Sequence, residues 1–211
     1  MNTIDPRTVE QGSELWHELR LGHVTASNVA DVMAKGKSGE AITRKKYKMR
    51  IVAERLTKQR QESYSNAAME WGVEQEPFAR MAYEVKNNSL VDKTGFWPHP
   101  TIEWVGVSPD GLVDNDGLVE IKCPNTTTHI DWLFEGKVPS EYVKQIQCQL
   151  WVTGRQWCDF ISFDPRLPER NQLFVVRCYR NDELIDEMQN EVLIFLDEVQ
   201  QIVERLLRGA E

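Results

Sequence analysis

No stretch of this sequence reaches the roughly 18 consecutive apolar residues that a membrane-spanning helix needs, so no membrane role is expected. The N-terminal stretch MNTIDPRTVEQGSELW is polar and lacks the apolar segment of a secretory leader. Cysteine is scarce: Cys123, Cys148, Cys158 and Cys178 are scattered without a single C-x-x-C pair. That spacing argues against structural zinc and suits reduced thiols, so the expected location is cytoplasmic. Internal repeats, low-complexity tracts and linkers are missing as well. With 41% hydrophobic residues, the 211-residue chain can bury one sizeable core, and a single domain over 1–211 is expected.

Positive charge is also in deficit. The net charge of −8 by itself disfavours a polyanionic partner. Its distribution matters more: residues 35–60 hold ten Lys/Arg against Glu40 and Glu54, while residues 181–211 hold nine acids against Arg205 and Arg208. A basic face on an acidic body still attracts phosphates. The plainer reading is two solvated helix faces.

Periodicity predicts an α-rich first half. Leu15, Trp16 and Leu19 suit a short helix, and Thr25 or Ser27 caps a second that stops near Gly36. Residues 42–60 put Ile42, Tyr47, Ile51, Val52 and Leu56 on one stripe opposite a basic face. A further helix runs from Ala67 to Asn88, with Pro77 opening or kinking it. TIEWVGV (101–107) reads as an alternating strand, and Asn115-Asp116-Gly117 as the turn of a hairpin. Then come an amphipathic helix over 140–153 ended by Gly154, strands WCDFISF and LFVVRCY, and a long acidic helix from about Asp182 to Arg208. This order makes an α/β (α+β) domain with a mixed sheet.

The informative stretch is GVSPDGLVDNDGLVEIKCP (106–124). It threads Glu120 and Lys122 through Leu118, Val119, Ile121 and Cys123, although charges are rarely buried unless paired or bound to metal. Strand alternation points Glu120 and Lys122 the same way, and the hairpin brings the Asp110 carboxylate beside Glu120. Two carboxylates and a main-chain carbonyl make an all-oxygen site for Mg²⁺ or Mn²⁺. With a lysine to orient water, such a site serves phosphodiester hydrolysis. A lone E-x-K pair is more often a solvated strand face; the apolar flanks and the Pro-Asp-Gly turn argue otherwise here.

With these residues, and with LWHELRLGHVTAS (15–27), WGVEQE (71–76) and QIQCQLWVTG (145–154), the chain resembles the PD-(D/E)XK nucleases. Within them it resembles the phage lambda exonuclease type of alkaline exonuclease used in viral recombination. The resemblance implies a restriction-endonuclease-like core, a central mixed β-sheet flanked by helices. Its helical DNA-binding part would cover about 1–95, and its catalytic sheet with flanking helices about 96–211. Asp110 and Glu120 would hold Mg²⁺ (Mn²⁺ substituting), with the main-chain oxygen of Ile121 and a helix-borne Glu76. Lys122 would act on the attacking water, and Gln147, or its neighbour Gln145, would pack over the site. Arg20, Ser27 and Ser108 match the family's 5′-phosphate pocket, with Trp16 beside it. Lys37 falls where a basic side chain enters the DNA groove. Thr128 and His129, with Thr126 and Thr127, stand where donors to backbone phosphates are expected, although the family's arginine-containing loop is missing there.

The activity implied is processive 5′→3′ degradation of one strand of linear double-stranded DNA, releasing 5′-mononucleotides and leaving 3′ tails. A homotrimeric ring, a single-strand-annealing recombinase partner and a phage or prophage origin in a bacterial cytosol are implied with it. The same chemistry would serve an endonuclease. A non-catalytic DNA-end-binding protein would have lost Asp110, Glu120 or Lys122, and all three are present. Iron–sulfur nucleases need a cysteine quartet that these four positions do not supply.

Overall fold

A computed structural model describes residues 4–61 and 67–209, without the side chains of residues 68 and 69. Helix α1 (Glu14–Arg20) starts at Ser13, whose hydroxyl accepts from the Trp16 amide. After β1 (Val24–Thr25), a 3₁₀ turn (Ala26–Asn28) leads into the single turn α2 (Val29–Val32). The helix expected from a Thr25 or Ser27 cap to about Gly36 is therefore cut short. Lys35 and Glu40 instead bridge a small hairpin carrying Lys37 at its exposed tip. Helices α3 (Ile42–Thr57) and α4 (Ala67–Asn87) follow, and α4 continues through Pro77 rather than starting there.

Strands β2 (Trp97–Pro98) and β3 (Val105–Val107) come next. Only the last three residues of TIEWVGV are strand. Trp104 sits at φ 67°, which breaks the expected alternation, and all of Val105–Val107 is buried. The hairpin forms as β4 (Gly111–Val113) and β5 (Gly117–Lys122). Asp114 takes the positive φ of its turn, while Gly117 is needed for space: a Cβ there would lie 2.1 Å from the Trp157 ring. Helices α5 (Thr126–Glu135) and α6 (Ser140–Thr153), strands β6 (Trp157–Phe163) and β7 (Leu173–Tyr179), and α7 (Asp182–Arg208) complete the order.

Two sheets result. One has the order β1-β3-β2, and the other is mixed, β4-β5-β6-β7, with β5 and β6 parallel and the outer pairs antiparallel. The Ser108-Pro109-Asp110 link carries the chain from one sheet directly into the other. The larger sheet is covered on both faces. Ala79 and Tyr83 of α4 pack on Val119 and Ile121, whereas Trp132, Ile146 and Leu150 of α5 and α6 pack on Leu118 and Phe160. This explains why β5 reads as an apolar run. Helix α7 buries Ile185, Met188, Val192, Phe195, Val199 and Val203, a three-and-four spacing, against α3, α2 and α6. No helix among the described residues is long and apolar enough to cross a membrane.

Candidate active site

Continuing the β4–β5 register by one residue sets Asp110 opposite Glu120. The Ile121 N–H donates to Asp110 Oδ2 at 2.7 Å, which fixes the carboxyl against the strand. Glu120 shares the sheet face of Leu118, under α6, and is 1% exposed. It is buried because it is fully partnered. Gln145 Nε2 donates to its Oε1 at 2.6 Å, Gln149 Nε2 to its Oε2 at 2.7 Å, and Lys122 Nζ lies 2.5 Å from Oε1. The Lys122 ammonium also stands 5.2 Å above the Tyr142 ring. Tyr142, Gln145 and Gln149 are spaced i, i+3, i+7, so one face of α6 meets the Glu120–Lys122 pair.

Gln147 does not reach this group. Two residues of helix turn it about 200° from Gln145. Its Nε2 donates to the Tyr179 carbonyl at 2.8 Å and its Oε1 accepts from the Asn181 N–H at 2.8 Å. Gln147 therefore ties α6 to the start of α7, and the glutamine over the site is Gln145, with Gln149 beside it.

Glu76 sits on α4 at the edge of the group. Arg80 Nη2 donates to Glu76 Oε1 at 2.6 Å and reaches the Asp110 carbonyl at 3.4 Å. Burial, then the charges of Glu120 and Glu76, push the Asp110 carboxyl well above its usual range, against the pull of Lys122. Burial works to lower the Lys122 ammonium, but Glu120 and Asp110 outweigh it and hold it above its ordinary value. The arrangement thus has more buried carboxylate than nearby cation. Among the described residues, no group of three or more His, Cys, Asp or Glu side chains is arranged to hold a metal by itself.

A cavity of about 110 Å³ adjoins the acids, lined by Gln11, Trp16, Arg20, Ser27 and Ser108 together with Gln145 and Gln149. The Ser108 hydroxyl accepts from Trp16 Nε1 at 3.0 Å and from Arg20 Nη1 at 2.9 Å, and the Arg20 guanidinium stacks 4.1 Å from the Trp16 ring. Burial brings Arg20 down to about 10, with Glu54 pulling it weakly the other way, and no carboxylate forms an ion pair with it among the described residues. The expected trio of Arg20, Ser27 and Ser108 therefore shares one cavity, and the two glutamines that hold Glu120 form part of its lining.

Other expected contacts fall elsewhere. His129 is fully buried, its Nδ1 2.6 Å from Ser162 Oγ and its Nε2 2.9 Å from the Asn171 carbonyl, so it holds α5 to the sheet and cannot reach a phosphate. Thr126, Thr127 and Thr128 form the first turn of α5, where the Thr128 N–H donates to its cap, Asn125. The basic run is largely committed internally. Arg44 and Lys48 each pair with Glu40 and Glu198 at 2.6 to 2.8 Å, Lys35 pairs with Glu187, and Arg55 donates to the Gly22 carbonyl. Lys37, Lys45 and Lys46 remain exposed and without ion pairs among the described residues.

Residues 15–156, which contain Arg20, Glu76, Ser108, Asp110, Glu120, Lys122, Gln145 and Gln149, match the YqaJ-like viral recombinase domain. The chain belongs to that family. Two crystal structures of the alkaline exonuclease LHK-Exo from Laribacter hongkongensis, one in complex with dAMP, superpose with a TM-score of 0.87. They are 48% identical, over 93% of this chain and 97% of theirs. A phage related exonuclease from Haemophilus somnus 129PT shares the fold at 18% identity, with a TM-score of 0.71. Protein R354 of Acanthamoeba polyphaga mimivirus is 31% identical over 114 residues, 46% of this chain but 20% of that protein's length. The mixed sheet with helices on both faces is the PD-(D/E)XK-like fold of these exonuclease structures.

Three residues of this YqaJ-like chain escape reading by motif: Gln149, Arg80 and Tyr142. Each lies on the helix face of a residue already singled out, Gln149 and Tyr142 at helical spacing from Gln145 and Arg80 four residues from Glu76. Tracing i, i+3 and i+4 neighbours along α4 and α6 finds all three.

Proposed function

We propose that this chain is a Mg²⁺-dependent 5′→3′ exonuclease that degrades one strand of linear double-stranded DNA and leaves 3′ tails. The observation that carries the reading is the Arg20 guanidinium, which makes no ion pair among the described residues and lines a cavity that shares Gln145 and Gln149 with Glu120. A half-buried cation of this kind suits a charged ligand. A 5′-phosphate placed there puts the next phosphodiester toward the acids.

The donors suit a hard divalent ion: Asp110, Glu120 and the Ile121 carbonyl offer only oxygen, and Glu76 adds another once turned from Arg80. Gln149 Oε1 is buried without a partner among the described residues, as an acceptor for a bound water would be. When bound, the ion would neutralise developing charge and make water a competent nucleophile at neutral pH. Lys122, held between Glu120 and Tyr142, orients that water and stabilises charge on the phosphoryl oxygens. Gln145 and Gln149 keep Glu120 aimed. Lys37, Lys45 and Lys46 supply sequence-independent contacts to backbone phosphates. A homotrimeric ring around the duplex, and an annealing recombinase that coats the tails, complete the proposal.

The test uses linear duplex labelled at one 5′ or one 3′ end, with 5′-hydroxyl ends, closed circles and EDTA in parallel. Early mononucleotide release from the 5′ end, with circles spared and EDTA blocking, is the expected result. Cut circles would make the protein an endonuclease, and binding of ends without cleavage would make it an end-binding protein.

A further inference from the structure

A second cavity, of about 440 Å³, opens on the other carboxylate. Asp110 and Glu76 line it together with Arg80, and its outer wall carries Arg7, Lys93 and Thr94. Val73 and Pro77 give it an apolar side. Its volume is in the range of small-ligand sites. The wall is built rather than incidental: the N-terminal segment clamps the chain before β2, with the Gly95 N–H donating to the Arg7 carbonyl at 2.6 Å and the Phe96 N–H to the Pro6 carbonyl at 3.0 Å.

The two cavities meet at Gln11, which lines both. Its Nε2 donates to the Thr94 and Pro109 carbonyls at 2.8 and 2.7 Å, which pins the partition against the residue preceding Asp110. One cavity thus reaches Glu120 through Gln145 and Gln149, the other reaches Asp110 directly, and the acids stand between them. The larger cavity holds positive charge in two states. Arg80 is deeply set, its side chain 11% exposed and its Nε buried without a partner among the described residues. Lys93 is exposed and has no partner among the described residues.

From this arrangement we infer that the larger cavity is the subsite for the nucleotide immediately 3′ of the scissile bond. Its apolar side takes the sugar and base, and Lys93 meets the next phosphodiester along the strand. The inference rests on the strand-degrading reading above. It adds a second anchoring point beyond the terminal phosphate, so a strand stays registered on the acids after each cut while the new end moves toward Arg20. A released 5′-mononucleotide carries the same phosphate chemistry and is the other source the test must separate.

The experiment is a binding cycle in EDTA, where the 5′-phosphorylated duplex stays intact. A methylphosphonate replaces the phosphodiester after the scissile one, and wild type is compared with Lys93→Ala and Lys93→Arg by fluorescence anisotropy. Neutralising that phosphate should weaken wild-type binding about tenfold, the size of one charge contact, and Lys93→Ala by less than about twofold. Lys93→Arg should keep the wild-type sensitivity. Equal losses in wild type and Lys93→Ala would overturn the assignment. So would the result that Lys93→Ala impairs only competition by a deoxynucleoside monophosphate, which would make the cavity a product site. Removal of the 5′-phosphate should weaken wild type and Lys93→Ala by the same factor. If it weakens neither, the strand-end reading fails independently of the cavity.

Discussion

Replacing Arg20 by alanine tests the end-recognition reading most directly. The guanidinium is held by Ser108 Oγ at 2.9 Å and by the Trp16 ring at 4.1 Å, so its fork is pre-oriented and opens on the cavity. One charge-assisted hydrogen bond is worth about 1.5–3 kcal/mol, and pre-orientation favours the upper end. At about 1.4 kcal/mol per decade, roughly 3 kcal/mol is about a 150-fold preference for a phosphate over a hydroxyl end. The assay is kcat/KM on matched duplexes with 5′-phosphate or 5′-hydroxyl. Arg20→Ala should bring the ratio near one while changing the 5′-hydroxyl rate by less than about threefold. Arg20→Lys should fall between, since it keeps charge but loses the fork and most of the stacking. Because burial lowers the guanidinium to about 10, the preference should hold through pH 9 and fade as pH approaches 10. Equal slowing of both substrates by Arg20→Ala would refute the argument and make Arg20 a structural brace for Trp16 and Ser108.

Lys122→Ala should keep end-binding affinity within about twofold while turnover falls about 10²–10⁴-fold, measured by equilibrium binding and single-turnover cleavage; retained turnover would remove the lysine from the mechanism. Gln149→Ala should weaken metal binding, followed by calorimetry, about 10–100-fold. Gln147→Ala should instead cost about 2 kcal/mol of stability, a drop of several degrees in Tm, with the rate per folded molecule unchanged. His23, packed between Phe96 and Trp104, is brought by burial from 6.5 to about 4. A folded pKa below the unfolded one gives stability that is present above pH 6.5 and lost as pH falls toward 4. A ring resonance titrating near 6.5 in NMR would contradict that burial.

The strongest sequence signals were those set by neighbouring residues. The hairpin and the shared face of Glu120 and Lys122 are legible, but the turn is Asp114-Asn115-Asp116 with Gly117 opening β5, one residue earlier than Asn115-Asp116-Gly117, and it is this register that sets Asp110 opposite Glu120. The glutamine was harder. Gln145, Gln147 and Gln149 lie two apart, and only the helix rotation relative to the sheet chooses among them; apolar neighbours drew attention to Gln147, which is buried for a different reason. Helix α5 carries only short local signals, Asn125 as its cap and Gly136 ending it in the left-handed region, and no apolar stripe long enough to announce it. Without that helix, His129 could not be seen to share a buried face with Trp132. The basic count over 35–60 misled in another way. Glu198, more than 150 residues after Arg44 in the chain, neutralises part of it, and no local window contains both.

The α6 glutamines make that helix a rigid beam with two loaded sides. Gln145 and Gln149 grip Glu120, while Gln147, near the opposite side, grips the backbone at Asn181 from which α7 departs. Anything that tugs on α7, such as binding of another protein or truncation, bears on the beam near its middle. The acidic helix α7, distant in sequence from every motif, is therefore tied through a single side chain to the helix that holds the buried Glu120 carboxylate.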